Sequence, residues 1–523
     1  MKTNKIHKAF VIGIMILAAY TSTGCSDETF LDTPPEDSYS MDTFYKTDEE
    51  VRASTNHLYG KPWFNYYNKA IWSILEIGAG NSFSYSSDVT SFKSFEVFST
   101  NERIAEAWKS NYAIVAQANT LINHLNNTVS ANPNITPSVL NNAIGEARLM
   151  RAVAYFNLVR LWGPVPVFTD NLVVANNPQI NTIVVEDIYK FIENDLIFAS
   201  ENLESKIRSS NYSGNGHASK GTAKSLLAKV YLYQKKYDLA KTLAKEVIDS
   251  GEFKLYGGSS LSDKSYGDLF LTANNNNEES VLAVQWAVTG AYGTANNCNT
   301  QFAYSADINA ATYGGVFAPS MDLINNTFDN VDKRKKETIM LPGDYYANIL
   351  SNSGGLTVPS DINAQNTGAG IKKYVVGKAY ENTGGADEWG MMANNTYIMR
   401  YADVLLIYAE AVLGSGESTS DASALDAFNQ VRTRAGLQPV TSFTKLDMLK
   451  ERRCEFALEG EYWFDLGRYN RAEAISIMAA QNRGDKNWAV YYTPNDSDFL
   501  MPYPDAEVAK NPKLLEAPIS YNF

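Results

Sequence analysis

Residues 400–468 contain Arg400-Tyr-Ala-Asp-Val-Leu-Leu-Ile-Tyr-Ala-Glu-Ala411, Val431-Arg-Thr-Arg-Ala-Gly436, Glu451-Arg-Arg-Cys-Glu-Phe-Ala-Leu-Glu-Gly460 and Trp463-Phe-Asp-Leu-Gly-Arg468. In the first piece Tyr401, Val404, Leu405, Tyr408 and Val412 fall on one stripe at helical spacing, which predicts a helix packed along that face. Arg400 and Asp403, three apart, are placed to pair on the surface beside the stripe. Arg452 and Glu455 repeat the arrangement, with Phe456 and Leu458 supplying apolar contacts. Charge is thus written into helices that also have to be buried.

Working outward, the same periodicity predicts helices at about 138–162, 184–204 and 421–435, the last with Leu425, Phe428 and Val431 as its stripe. Residues 220–252 place Leu227-Ala228, Tyr231 and Ala240 where a tetratricopeptide repeat has its Leu, small residue, aromatic and Ala. Small residues there let two antiparallel helices approach closely; Lys235-Lys236 supplies the turn and Gly251 a helix stop. The segments 400–413 and 421–435 form a second candidate pair. Helical patterns in 46–128 flank an irregular stretch from Gly78 to Thr100. Residues 254–395 differ in texture, being rich in Gly, Asn, Ser and Tyr. So long a segment is expected to hold short strands and small helices packed on the helical frame, with long surface loops.

The three charged pieces, in this order, resemble the SusD/RagB family of outer-membrane nutrient-binding lipoproteins. Further residues carry the likeness: Glu146-Ala-Arg-Leu-Met-Arg-Ala-Val-Ala-Tyr-Phe-Asn-Leu-Val-Arg-Leu-Trp-Gly-Pro-Val-Pro166, and Trp108, Tyr112, Ala118-Asn119 and Ile122 on an earlier helix. Asp332-Lys-Arg334, Lys373-Tyr374, Met501-Pro-Tyr-Pro504 and Asn511-Pro512 follow in the family's order. The resemblance implies a mainly α fold, a tetratricopeptide-like helical scaffold (an α-α superhelix) carrying an irregular, loop-rich ligand-binding region. It also implies capture of an oligosaccharide, or in the runner-up reading a peptide, for a SusC-like TonB-dependent transporter in the outer membrane. The likeness is thin from about 254 to 395, where substrate choice is expected to be encoded.

Lys2, Lys5 and Lys8, an apolar run from Ala9 to Ala19 and Thr21-Ser-Thr-Gly-Cys25 have the order of an export signal. The run is shorter than the roughly 20 residues of a membrane span. Gly24-Cys25 suggests cleavage before Cys25 and lipidation of its thiol, although Ser22 stands where such signals more often have Leu. The alternative is ordinary secretion. The expected organisation is a signal peptide at 1–24, a lipid-linked tether at 25–45, an N-terminal helical region at 46–253 and a C-terminal region at 254–523. The last divides into variable loops (254–395) and helices (396–470). Ser26-Asp27-Glu28, by the family resemblance, implies display on the outer surface. Losing the signal removes three lysines and no acids, taking net charge from −13 to −16. Such a chain is unsuited to nucleic acid or anionic lipid. Cys298 and Cys454 are expected to be free buried thiols, a bridge being the alternative.

Catalytic motifs are absent. His57, His124 and His217 stand apart, and no metal-protease, nucleophile-elbow or phosphate-loop pattern occurs. Glu455 and Glu459 imitate a glycosidase pair, but two acids on one helix face rarely enclose a sugar. A structural ion-pair network with Arg452 and Arg453 is the preferred reading, and the same holds for Asp403 and Glu410. No cofactor is expected; a structural calcium on Asn495-Asp-Ser-Asp498 or Asp421 is an alternative to plain surface acids.

Sugars present C–H patches on one face and hydroxyls at the rim, so a binding site needs flat aromatic rings with polar edges. Both irregular regions hold that mixture. The candidate ligand-binding residues are Asn81, Tyr85 and Asp88, with Phe92 nearby, then Trp286, Tyr292, Tyr304 and Tyr313, and Trp389 ahead of the helix at 400. Trp286 follows a buried-looking strand, Val281-Leu-Ala-Val284, and core packing competes there with ligand contact.

Overall fold

A computed structural model describes residues 44–208, 210–382 and 384–523. Cys25, the export signal and the tether up to residue 43 lie outside the described residues. Seven helices build the frame: α1 (Glu102–Asn127), α2 (Pro137–Trp162), α3 (Val185–Asn202), α4 (Lys220–Tyr233), α5 (Tyr237–Ser250), α6 (Tyr401–Leu413) and α7 (Ala422–Arg434). Each packs on the next in chain order, so the frame grows as a solenoid of antiparallel hairpins. The fold is mainly α, as the sequence predicts. Local signals set the ends. Pro137 opens α2, Ser219 and Thr222 form a capping box on α4, and Gly251 closes α5 in the left-handed region at φ 65°. The repeat positions Leu227, Ala228 and Tyr231 on α4 and Ala240 on α5 are buried.

After α5 the chain enters the irregular region. Strand β1 (Ser280–Val284) pairs antiparallel with β2 (Thr396–Arg400), Ser280 opposite Arg400 and Val284 opposite Thr396. Residues 285–395 therefore leave and return through one two-stranded stem, and β2 runs directly into α6. Short strand pairs, such as Ile339–Met340 with Gly370–Ile371, and one-turn helices order the excursion. Two further helices, α8 (Lys445–Phe456) and α9 (Tyr462–Arg468), follow α7 and close the base of the stem.

That base corrects the expected charge pairing. Helix α6 is buried on nearly all sides: besides the predicted stripe, Ala402, Leu406, Ile407 and Ala409 are enclosed, and Val412 is only half-buried. Arg400 does not meet Asp403 on a surface. Its guanidinium lies 2.8 Å from Glu455 Oε1 and 2.8 Å from both carboxylate oxygens of Glu459, and it also contacts Glu279. Arg334 reaches Glu451 at 2.7 Å and Glu455 at 3.0 Å, Arg434 holds Glu279 at 3.1 Å, and Lys373 holds Glu459 at 2.8 Å. Glu455 and Glu459 do form a structural network, but with these cations and not with Arg452 and Arg453. Arg452 pairs with Asp403 and Asp465, at 2.7 and 2.9 Å, and Arg453 pairs with Asp322 at 2.8 Å. The helical offset of three that suggested Arg452–Glu455 is outcompeted because burial demands several donors per carboxylate, which only other segments supply. Glu410 pairs with Arg468 at 2.8 Å. Asp421 caps α7, accepting from Ser423 and Ala424 amides.

Candidate functional site

The helical hub of the site is the short turn Cys298–Phe302. Thr300 Oγ1 donates to the Trp389 carbonyl at 3.3 Å, and the Thr312 hydroxyl donates to the Thr300 carbonyl at 3.0 Å. One residue thus holds the loop carrying Trp389 and the loop carrying Tyr313. Asp387 fixes the Trp389 loop further by accepting the Trp389 and Met391 amides at 2.9 and 2.8 Å. Tyr292 arrives from a third loop. Its turn lies on the Phe64 ring, where Gly293, at φ 83°, lets the backbone approach; a Cβ there would stand 3.3 Å from Phe64.

These placements bring three sequence-predicted residues together. The Tyr292 ring meets Phe64 at 5.1 Å and Trp389 at 5.3 Å, the latter at 84°, so the two outer rings form a corner. Tyr292 and Tyr313 are 54% and 68% exposed and Trp389 is half-buried. Partial burial, and then nearby Tyr313, Glu106 and Asp387, raise the Tyr292 phenol above its ordinary pKa. Burial pushes the Glu106 carboxyl up to about 7 despite Arg103 at 2.7 Å. Two buried acceptors in residues behind the cluster, Asp387 Oδ2 and Asn297 Oδ1, have no donor among the described residues. The arrangement offers apolar ring faces with phenol hydroxyls at their edges, on a surface and not in a deep cavity.

The remaining candidates divide. Tyr85 is 54% exposed on a neighbouring strip, its hydroxyl donating to Asp485 and its amide to Gln365. Tyr304 is half-buried over Gly370, and burial followed by Asp307 and Asp361 pushes its phenol up to about 12. Asp88 spends its charge on Lys69 at 2.6 Å, tying the irregular stretch to the frame. Asn81 and Trp286 are corrected to core residues. Asn81 is fully buried, donating to Glu76 and accepting from Arg453 Nε at 2.9 Å. Trp286 is buried, with its indole N–H on Thr396 Oγ1 at 3.0 Å and Phe64 and Tyr67 against its ring. Sequence reasoning missed Trp488, 74% exposed. The signal was a tryptophan in a polar stretch, Arg483-Gly-Asp-Lys-Asn-Trp488, with no apolar period around it.

Elsewhere, a groove of about 410 Å³ lies between Phe95, Trp162, Trp463 and Tyr503, apart from this cluster. His217 lies in the segment ahead of α4 and contacts Glu146 at 2.7 Å.

The chain is thus a mainly α stack of helical hairpins with an exposed aromatic corner on a long excursion. Comparison with known proteins gives its family. The pattern of the SusD family matches residues 278–519, and one described as starch-binding associating with outer membrane matches residues 29–232. A SusD-like protein of Bacteroides ovatus is 32% identical, over 98% of this chain and 98% of its own. The chain belongs to the SusD family. A crystal structure with xylogluco-oligosaccharide is 30% identical, with a TM-score of 0.81, covering 90% of this chain and 99% of that one. A laminarin-binding SusD-like protein is 26% identical, with a TM-score of 0.70, covering 89% and 98%.

Proposed function

We propose that this chain is a glycan-capture protein of the outer membrane that binds oligosaccharide or polysaccharide on the Tyr292–Tyr313–Trp389 corner. The observation that carries the reading is the corner formed by the Tyr292 and Trp389 rings from two loops, 5.3 Å apart, with the exposed Tyr313 near Tyr292 on a third. The ring faces take the C–H face of a sugar, and the exposed tyrosines Tyr292 and Tyr313 add polar edges for its hydroxyls. The similar proteins crystallised with xylogluco-oligosaccharide or described as binding laminarin support the ligand class. In this reading Cys25 carries the lipid, the body faces the cell exterior, and the glycan passes to a SusC-like TonB-dependent transporter. No bond is made or broken. Glu455 and Glu459, the carboxylates spaced most like a catalytic pair, are buried and neutralised by Arg400, Arg434 and Lys373.

Affinity electrophoresis of residues 26–523 through gels containing xyloglucan, laminarin and other glycans tests the reading. Retardation by one glycan, relieved by Tyr292→Ala or Trp389→Ala, is expected. Free migration in every gel overturns glycan capture and favours a peptide ligand.

A further inference from the structure

We propose that Trp488 and Tyr85 form a second sugar-stacking pad beside the Tyr292–Tyr313–Trp389 corner, so that one long glycan chain is held at two points. The inference rests on the glycan reading and adds to it a separate site and a dependence on chain length.

The pad is built around one carboxylate. Asp485 Oδ1 accepts the amides of Asn487 and Trp488 at 2.7 and 2.9 Å, and the Asp485 amide donates to the Trp488 carbonyl at 3.1 Å. The turn is locked at its stem by Arg483 donating to the Val490 carbonyl at 2.7 Å. At Gly484 it is so tight that a Cβ would lie 1.8 Å from the Trp488 carbonyl oxygen. Asp485 Oδ2 accepts from the Tyr85 hydroxyl and from Asn366 Nδ2, the latter at 2.8 Å. Segments about 400 residues apart thus meet at Asp485, and the Trp488 loop and the Tyr85 ring are both tied to it. A large indole 74% exposed on a locked turn has no role in the core. Exposed apolar surface on a pre-ordered element marks a contact surface, because little freedom remains to be lost on binding.

The link to the first site is Gln365. Its side-chain amide accepts from the Tyr85 backbone at 2.8 Å and donates to the Gly315 carbonyl at 2.7 Å, two residues from Tyr313. One side-chain amide therefore joins the Tyr85 strip to the Tyr313 loop. Gln365 and Asn366 both hold left-handed backbone, at φ 48° and 56°, which non-glycine residues adopt only at a cost. A chain already bound at the first corner meets the second pad at high effective concentration, so long chains gain affinity that short ones do not.

The experiment is calorimetric titration of wild type, Trp488→Ala and Tyr292→Ala with xyloglucan, laminarin, and short oligosaccharides cut from each. Trp488→Ala is expected to weaken polymer binding about tenfold while leaving the shortest bound oligosaccharide unaffected. Tyr292→Ala is expected to weaken both. Equal polymer affinity of Trp488→Ala and wild type overturns the second pad, as does an equal loss on short and long ligands, which would make it one site. If wild type binds none of these glycans, the glycan reading fails and the second pad with it. Unchanged thermal unfolding of Trp488→Ala separates any loss from misfolding.

Discussion

Arg400 and Glu455, 55 residues apart in sequence, meet at 2.8 Å in an interior that excludes water from both. Arg400 ends β2 and Glu455 lies in the last turn of α8, so this contact ties the stem of the ligand-binding excursion to the C-terminal helices. Replacing Arg400 by Met would leave Glu279, Glu455 and Glu459 short of partners. A loss of about 3–5 kcal/mol is expected in denaturant unfolding. A variant within about 0.5 kcal/mol of wild type would contradict the structural role of the network.

Acid should unfold the protein through the same groups. Burial alone would raise Glu455, but Arg434, Arg400 and Arg334 hold it well below the usual carboxylate range; Lys229 and Arg452 do the same for Asp403 against its burial. Carboxyls depressed in the folded state contribute stability that is complete above the unfolded value, about 4, and is lost as pH falls below it. Glu76 and Glu106, both raised by burial, act in the opposite sense above that value, Glu106 from about pH 7 downward. Melting temperature should hold or rise from pH 7 to about 5 and then fall steeply. A flat profile down to pH 3 would count against the prediction.

Tyr292 and Trp286, both candidates from sequence, should separate on mutation. Tyr292→Ala removes an exposed ring, so glycan affinity should fall by about 1–2 kcal/mol with stability nearly unchanged. Trp286→Ala opens a core cavity and should cost about 3–5 kcal/mol of stability. Asn81→Ala should cost about 1–3 kcal/mol, since Arg453 and Glu76 lose a buried partner. Titration calorimetry beside thermal melts gives both readouts on each variant.

The thiols Cys298 and Cys454 are both free and buried. Neither should react with Ellman's reagent in the native protein, and both should react in guanidinium chloride. Fast reaction of either native thiol would show that its surroundings open readily.

Ala240 and Ala244 are fully enclosed where α5 meets α4 and α6. Ala240→Leu overfills that interface and should destabilise by about 1–3 kcal/mol. Equal stability would mean that the hairpins tolerate a wider spacing than their small residues suggest.

The helical frame was legible because its signals are local. The stripe of Tyr401, Val404, Leu405 and Tyr408, the repeat positions of 220–252 and Gly251 at a helix end all act within a few turns of chain. The candidate site was legible in part. Tyr292, Tyr313 and Trp389 were marked by residue type and by loops without period, whereas Asn81 and Trp286 shared the same marks and proved to be buried. Residue type in an irregular loop carries no record of which way the side chain turns.

The sequence by itself determined the mainly α scaffold, its hairpins and the position of the long excursion, because helix periodicity and capping are written in neighbouring residues. Tertiary structure alone decided the partners of the buried charges and which rings face outward. Arg400 is neutralised by Glu279, Glu455 and Glu459, at separations of 121, 55 and 59 residues, while Asp403, its near neighbour, pairs with Lys229 and Arg452. Taking a charge out of water requires several well-placed partners at once. Such a set is assembled only when distant segments pack, and the same packing leaves Tyr292, Tyr313 and Trp488 exposed.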